Sequence, residues 1–397
     1  MKRSWSSRDR LLAAINNQEP DYVPLWNLWT RRKLSNVTWE TIPQRVEAVL
    51  DLGMDDTVLL DAPGIRQIGD TSADRLSSDV QVRRAKQLSP QQPYPMLTKE
   101  YETPKGTLRV VSKQTEDWPH GDDVPIFSDH AVSRSTEFLV KSAADLEKLA
   151  YIFTAPTAEQ INEFWQEAKV LKSFANRKGV LMEGGWIAVA DAAVWLCGVQ
   201  PLLTAAMDDP EYVQALLNFL YDWQEPRIEL LLEAGVDVIS HRGWYETTRF
   251  WSPRLWRQMI KPLLKKEIDL THAAGKKFLY IHTAGTAPLL DDILELGVDV
   301  LWGVDPVQGD ADLQLFKRKL GGKVCIWGGM NSAVTLEMGT REEIRQAVTD
   351  AIRICGPGGG FVLFPVDQIF EWTPWESVEI MLKRWKEIRD YPLGSFD

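Results

Sequence analysis

Two residues of this chain combine a reactive side chain with a position at the end of a short apolar run. His282 ends the run YIH and precedes Thr-Ala-Gly-Thr, and Asp61 ends TVLLD just before Ala-Pro-Gly. An imidazole that titrates near neutral pH can act as a general acid or base or bind a metal, and a carboxylate can act as a base, accept hydrogen bonds or bind a metal. We predict that both residues are catalytic. The alternatives are that His282 only hydrogen-bonds a loop and that Asp61 only caps a turn.

Other ionisable residues stand at comparable points. His241 comes just before Arg242, so this position could be catalytic or part of a structural ion pair, and Glu246 follows in WYETTRFW. Glu183 precedes Gly-Gly-Trp, and Asp367 lies in FPVDQIF. We predict catalytic roles for His241 and Glu246 and substrate binding for Glu183. The alternatives are a helix cap at Glu183 and solvent-exposed loops at Glu246 and Asp367.

The chain holds seventeen tryptophans, many of them beside glycine, proline or charged residues. Most aromatic side chains simply fill a core, but tryptophan is bulky and amphipathic, so some could line a broad pocket for a flat, apolar or aromatic ligand. Trp186 and Trp244 are predicted to bind substrate in such a pocket.

These residues share a position because the chain repeats one pattern, in which a helix ends on glycine and a short apolar strand begins at once. The pattern occurs at 50–61, 232–241 and 294–303. Glycine past a helix end adopts the left-handed conformation that closes the last turn, and the valine-rich run after it is typical of a strand buried on both faces. Five further apolar runs bring the predicted strands to eight; these runs are 23–28, 179–184, 277–282, 323–329 and 360–364.

Eight strands, most of them followed by a helical stretch, predict a single (β/α)8 barrel over residues 1–397, with its catalytic groups at the carboxyl ends of the strands. Between 62 and 178 the strand–helix alternation lapses, and 103–118 has the pattern of a hairpin with a Lys-Gly turn. We therefore predict an insertion between strands two and three that caps one mouth of the barrel. The glycine-rich run 356–361 precedes a strand and predicts a turn rather than a phosphate site.

Helical periodicity extends over 210–235 and 252–275, where Pro226 and Pro262 predict a kink or a break. Helix starts are predicted at Ser252 and at Thr340, each a hydroxyl residue that can cap the first turn.

The bulk composition favours an enzyme that acts on a small molecule. The 45 basic and 56 acidic residues give a formal charge of -11 and a pI near 5.2, which disfavours binding to nucleic acid or an anionic membrane. Three widely spaced cysteines form no CxxC pair, so neither a disulfide framework nor a thiolate zinc site is expected. With no signal-peptide core and no apolar run of about 18 residues, a soluble cytoplasmic protein is expected.

Several stretches resemble the uroporphyrinogen decarboxylase superfamily, and together they cover nearly the whole chain. RDRLLAAINNQEPDYVPLW is similar to the start of the family, and MDDTVLLD to the segment that carries its catalytic aspartate, here Asp61. IHTAGTAPLLDDILELGVDVL, IWGGMNSAVTLEMGTREEIRQAV and GPGGGFVLFPVDQIFEWTPWESV match its last third in order and spacing. The superfamily contains true decarboxylases and zinc-dependent methyltransferases that work with corrinoid proteins, and the resemblance implies a homodimer.

Single positions distinguish these branches. Where the decarboxylases carry arginines for propionate groups, this chain has Trp29 and Lys33, and Asp367 replaces a histidine near the last strand. Where the methyltransferases have a His-x-Cys motif and a second cysteine, it has His282, Ala284 and again Asp367. Thiolate coordination of zinc is therefore not expected, but nitrogen and oxygen ligands could still hold the ion. The predicted ligands are His241, Glu246, His282 and Asp367.

The sequence thus predicts methyl transfer or demethylation of a small methyl donor, aromatic or otherwise, beside a corrinoid protein. The first alternative is decarboxylation of a tetrapyrrole such as uroporphyrinogen, or of a smaller carboxylate, with Asp61 as the central group and no cofactor. The second is a non-catalytic barrel that binds a ligand. The predicted substrate-binding residues are Trp29, Lys33, Glu183, Trp186, Trp244 and Asn331.

Overall fold

The computed structural model describes residues 5–26, 39–63, 78–88 and 93–394. The strands in these ranges are β1 (Thr57–Leu60), β2 (Gln81–Gln87), β3 (Met96–Thr103), β4 (Gly106–Lys113), β5 (Ser135–Glu137), β6 (Leu181–Ile187), β7 (Val238–Arg242), β8 (Lys277–Ile281), β9 (Val300–Val304), β10 (Cys325–Asn331) and β11 (Phe361–Val366). The α-helices are α1 (Ser7–Ile15), α2 (Ile42–Asp51), α3 (Asp129–Val132), α4 (Leu146–Leu149), α5 (Ala158–Lys178), α6 (Ala190–Cys197), α7 (Val199–Asp208), α8 (Pro210–Ala234), α9 (Pro253–Leu255), α10 (Lys261–Ala273), α11 (Leu290–Leu296), α12 (Leu313–Leu320), α13 (Arg341–Cys355) and α14 (Trp375–Ile388).

Seven strands form one curled parallel sheet in the order β1-β6-β7-β8-β9-β10-β11. Helices α2, α8 and α11 lead into glycines in the left-handed conformation at Gly53, Gly235 and Gly297, with φ of 81°, 83° and 81°. Glycine adopts this conformation without the strain that a side chain would cause. The predicted glycine-to-strand pattern is confirmed at all three places, and seven of the eight predicted strands are strands of this sheet.

The inner face of the sheet carries a cluster of aromatic rings whose centroids lie 4.6 to 6.2 Å apart. These rings are Trp26, Trp302, Trp327 and Phe364. Helix α1 adds apolar side chains to the same cluster, and its Arg8 pairs with Asp237 just before β7. This helix therefore covers the amino ends of the strands. Most of the remaining core lies on the other face, between the sheet and its helices.

The first predicted strand, 23–28, is described up to residue 26. Leu25 forms a parallel bridge with Leu363 of β11, and the Trp26 amide donates to the Leu363 carbonyl at 3.0 Å. The Leu25 carbonyl accepts a hydrogen bond from the Asp55 amide, just before β1, at 2.8 Å. This segment therefore lies between β11 and β1, the two outer strands of the parallel sheet.

Strands β2 to β5 form a separate antiparallel sheet in chain order. Strands β3 and β4 pair from Met96 opposite Lys113 to Thr103 opposite Gly106, so the chain reverses over Pro104 and Lys105. A proline in the corner of a turn loses no hydrogen bond that a sheet would need.

Two prolines have different effects on their helices. Helix α8 continues through Pro226, so a break there is not found; the buried face of the helix packs along the sheet, and the Arg227 side chain donates to the Trp223 carbonyl at 2.6 Å. The segment 252–275 is divided into α9, a π-helical turn and α10. Pro262 lies in the first turn of α10, where no amide donor is needed.

The predicted helix starts and the glycine-rich turn are confirmed. Ser252 and Thr340 cap α9 and α13 through their hydroxyl groups. Residues 356–361 connect α13 to β11, and three of their glycines have positive φ.

Within the described ranges, no helix taken singly is both long and apolar enough to cross a membrane; α6 and α7, which meet at a bend of 107°, pass that test only as a pair.

Candidate active site

The predicted site residues gather at the carboxyl ends of the parallel strands, but they face two different sides of the sheet. Side chains alternate between the two faces along a strand. In β7, the Ser240 hydroxyl reaches Glu183 on the inner face at 2.5 Å, whereas the next residue, His241, turns toward Glu267 of α10. We call the inner side of this edge the mouth; the other side lies behind the sheet, under α10.

Behind the sheet, four side chains form what we call the His241 network: Glu267, His241, Glu246 and Tyr280. His241 donates from Nδ1 to Glu267 at 2.6 Å and from Nε2 to Glu246 at 3.0 Å. The Tyr280 hydroxyl donates to the second oxygen of Glu246 at 2.7 Å. Each of the four is at most 1% exposed. Burial alone would lower the pKa of His241, but the two carboxylates raise it well above its ordinary value. His241 is therefore an imidazolium with both nitrogens engaged.

His282 lies against this network, and its ring is fully buried. Its Nε2 donates a long hydrogen bond of 3.4 Å to the backbone carbonyl of Glu246, and its Nδ1 accepts from the Thr286 hydroxyl at 2.7 Å. Burial lowers the pKa of His282 to about 4, so this imidazole is neutral at pH 7. The structure thus brings together three of the predicted catalytic residues, His241, Glu246 and His282.

Arg242 is held at the end of β7 by two aspartates that the sequence analysis did not identify. Its guanidinium pairs with Asp191 and donates to Asp129 at 2.7 Å. Asp191 also accepts the backbone amides of Trp244 at 3.1 Å and Tyr245 at 2.7 Å. Burial raises the pKa of Asp191 to about 7, against the effect of the arginine. A lone charge in the apolar run IAVADAAVWL is the sequence signal that points to this buried pair. The predicted alternative of an ion pair is therefore found at Arg242, with partners from α3 and α6.

In the mouth, Asp305 and Asn331 hold neighbouring loops. Asp305 accepts the Asn331 side-chain amide at 2.7 Å and the backbone amides of Val307 at 2.8 Å and Gln308 at 3.2 Å. The Asn331 oxygen accepts the Val334 amide at 2.6 Å. Burial raises the pKa of Asp305 despite these donors. The loops after β9 and β10 are thereby fixed to each other.

Asp367 follows β11 directly and is exposed to solvent at the mouth. Partial desolvation and the neighbouring Asp305 carboxylate raise the pKa of Asp367, in opposition to a hydrogen bond with the Trp244 side chain. The Trp244 ring lies 5.5 Å from that of Trp302 in the inner aromatic cluster. Trp244 therefore lies between the aromatic cluster that forms the floor of the mouth and the Asp367 carboxyl group, whose pKa is raised.

Asp61 directly follows β1 and is half-buried. The alternation of β1 places it on the same side as Thr57, whose hydroxyl donates to Glu183 at 3.3 Å and accepts the Trp26 indole at 3.3 Å. Burial raises the pKa of Glu183, although two hydroxyl donors oppose the effect. Glu183 therefore belongs to the inner wall of the mouth and does not cap a helix in the structure.

Three predicted binding residues cannot be placed by their side chains. Trp29 and Lys33 lie outside the described residues, and of Trp186 only the backbone, within β6, is described.

The side chains predicted to bind zinc do not fit that ion. Among the described residues, no group of three or more His, Cys, Asp or Glu side chains is arranged to hold a metal ion. Both ring nitrogens of His241 and of His282 are already engaged, and Asp367 stands apart from them, beside Asp305 and Trp244. All three cysteines are buried; burial raises the pKa of Cys197 and of Cys355 to about 12.

Comparison with known proteins gives one family and a set of similar folds. The family model for uroporphyrinogen decarboxylase (URO-D) matches residues 126–388. A methyltransferase from Methanosarcina mazei is 17% identical, with a TM-score of 0.60 over 97% of this chain and 99% of that chain. A B12-independent methionine synthase from Shewanella sp. W3-18-1 is 10% identical, with a TM-score of 0.50 over 92% and 96%. At these identities the likeness concerns the fold. A comparison with curated proteins finds no match. Because the family model covers well over half of the sequence, the chain belongs to the uroporphyrinogen decarboxylase (URO-D) family.

Proposed function

We propose that this chain transfers a methyl group from a small, uncharged methyl donor, an aromatic methyl ether in the first instance, to an acceptor presented by a corrinoid protein. The observation that carries the proposal is the make-up of the mouth, where the Trp244 indole lies between an aromatic floor and the carboxyl group of Asp367. A flat ring can pack on such a surface while its ether oxygen meets a hydrogen-bond donor.

Charge supports an uncharged substrate over a polyanionic one. Asp61, Glu183, Asp305 and Asp367 bring carboxyl groups to the described part of the mouth. The guanidinium found at a described strand end, that of Arg242, is already neutralised by two aspartates. A ligand with many carboxylates would meet repulsion from these four carboxyl groups.

The proposed reaction assigns a proton donor. Transfer of a methyl group from an aryl ether breaks the methyl–oxygen bond, leaves the electron pair on oxygen and requires a proton there. Asp367 supplies that proton, because its raised pKa keeps more of it protonated near neutral pH than an ordinary aspartate, and Trp244 holds it in place. The corrinoid partner supplies the methyl acceptor.

A partner protein is supported by the surface around the mouth. The loops after β7, β9, β10 and β11 form the rim of the mouth, and they expose several apolar side chains. Exposed apolar side chains that lie together often mark a surface that binds another protein. Those of the rim are Phe250, Val307, Val334, Met338 and Trp372, between 39% and 71% exposed. A protein that delivers the methyl acceptor has to cover this rim.

Two features of the architecture belong to the same proposal. We infer that the segment ending at Trp26 completes the parallel sheet as the first strand of a closed (β/α)8 barrel, supported by its hydrogen bonds to Leu363 of β11 and to Asp55, just before β1. The described part of the insertion predicted within 62–178 caps the mouth, supported by the contact of Asp129 in α3 with Arg242. Homodimerisation and a cytoplasmic location stay predictions.

The test is corrinoid-dependent demethylation. Purified protein is incubated with aryl methyl ethers and reduced corrinoid proteins, and release of the phenol is followed. D367N is expected to lower turnover by about 10²- to 10⁴-fold, the usual range for loss of a general acid. Asp269→Asn, at an exposed ion pair on α10, is the matched control. Metal analysis of protein purified without chelator tests the zinc prediction separately. Absence of corrinoid-dependent turnover with every aryl methyl ether tested would refute the proposal.

One observation favours decarboxylation as the second candidate. Asp61, half-buried on the inner side at the end of β1, matches the family segment that carries the catalytic aspartate. Incubation with uroporphyrinogen III would then release CO2, and D61N would abolish that release. An intact substrate after long incubation would exclude this narrow form of the idea.

A further inference from the structure

We propose that His241 is a positioning residue of the active site: clamped between Glu267 and Glu246 behind the sheet, it fixes the turn 243–247, which carries Trp244 into the mouth and sets the backbone of Glu246 against His282. The kinetic part of this inference rests on the proposed function; its structural part does not.

Glu246 is bonded at both oxygens of its carboxylate within the His241 network. Both oxygens of Glu246 are taken, one by His241 and one by Tyr280, and all the groups are excluded from water. The His241 ring bonds both glutamates, one through each nitrogen, so its position determines where Glu246 can lie.

The turn is packed directly on this network. The Gly243 amide donates to the Ile281 carbonyl at 3.1 Å, and the Glu246 amide donates back to the Gly243 carbonyl at 3.2 Å. A Cβ atom added to Gly243 would lie 2.6 Å from the Tyr280 ring and 2.9 Å from a carboxylate oxygen of Glu246. There is thus no room for the turn to shift unless the network shifts with it.

The turn also reaches the loop that follows β8. The hydroxyl groups of Thr247 and Thr248 donate to the carbonyls of Ala284 at 2.7 Å and Gly285 at 2.6 Å. A displacement of Glu246 would therefore move this loop and His282, and on the other side Trp244 with its hydrogen bond to Asp367.

The experiment compares two conservative changes inside the network with a matched change outside it. Tyr280→Phe removes one hydroxyl bonded to a glutamate at 2.7 Å, and Glu267→Gln keeps the shape of the carboxylate. Tyr391→Phe removes a part-buried hydroxyl that donates to the Gly356 carbonyl at 2.6 Å, away from the network. If Glu267→Gln does not fold, Tyr280→Phe still carries the test, because it changes neither charge nor packing volume appreciably.

The first readout needs no substrate. With only five histidines in the chain, selective ¹⁵N labelling resolves the ring signals of His282, and the Trp244 indole signal is assigned by Trp244→Phe. Both signals are expected to shift in Tyr280→Phe and Glu267→Gln and to stay unchanged in Tyr391→Phe. In the methyl-transfer assay, kcat is expected to fall by about 10- to 100-fold with little change in KM, the size of effect that small misplacements produce.

The outcomes separate the two proposals. Shifted signals without turnover of any methyl donor would uphold the positioning role and refute the proposed function. Unshifted His282 and Trp244 signals in both network variants would overturn the positioning role, whatever the activity.

Discussion

The neutral, buried His282 predicts a specific dependence of stability on pH. Its pKa is lowered from 6.5 to about 4 in the folded protein because burial disfavours the charged ring. Above pH 6.5 the ring is neutral whether the chain is folded or not. Between pH 6.5 and 4 the unfolded chain binds a proton that the folded chain does not, so stability is lost as the pH falls. At ~1.4 kcal/mol per pH unit, the full loss amounts to about 3 kcal/mol, and the part between pH 7 and pH 5 to about 2 kcal/mol.

The assay is urea unfolding of the wild-type protein and His282→Asn at pH 7 and pH 5, with free energies from linear extrapolation. Other titrating groups contribute to both proteins and cancel in the comparison. The wild-type protein is expected to lose about 2 kcal/mol more than the variant on going to pH 5. Asn218→Ala, at an exposed side chain on α8 that does not titrate, is the control and should keep the wild-type dependence. An equal pH dependence for the wild-type protein and His282→Asn would refute the argument.

Three further changes test other parts of the structure. Arg242→Gln leaves a buried aspartate without its cation and is expected to lower the unfolding free energy by about 3–5 kcal/mol in urea titrations. Gly359→Ala places a Cβ 2.4 Å from backbone and is expected to cost about 1–3 kcal/mol more than Gly322→Ala, which has a similar positive φ but no atom within 4 Å. Met338→Glu, on the apolar rim, is expected to weaken corrinoid-dependent turnover about tenfold or more at limiting partner. Met207→Glu, equally exposed on α7, should leave this turnover unchanged. Equal effects of the two substitutions would show that the corrinoid protein does not bind the apolar rim.

The sequence predicted the parallel strands well because their signals are local. Gly53, Gly235 and Gly297 each close a helix in the left-handed conformation. The valine-rich runs that follow are typical of strands buried on both faces. The helix breaks were harder to predict. Whether Pro226 ends a helix depends on how much packing the rest of α8 gains from the sheet, and that gain comes from residues far away in the chain.

The residues predicted for the site lie at the carboxyl edge of the sheet, but two of them, His241 and Glu246, lie behind the sheet and not in the mouth. His241 was assigned to the mouth because it ends an apolar run, yet the strand alternates, and Ser240 faces the mouth instead. Its partner Glu267 lies 26 residues away on α10, and Asp191 lies 51 residues from Arg242. Pairings across such distances depend on the packing of helices on the sheet, which no local pattern records.

Ala284 and Asp367 stand where the similar methyltransferases have cysteines, and the structure connects these two positions. Ala284 stands in the loop held by Thr247, and Asp367 is joined to Trp244, three residues before Thr247. One turn therefore supports both positions. With His282 neutral and bonded to Thr286 and the backbone, the proposed reaction relies on the carboxyl group of Asp367. Its raised pKa suits it to give a proton to a leaving oxygen, and a thiolate in that place could not do so.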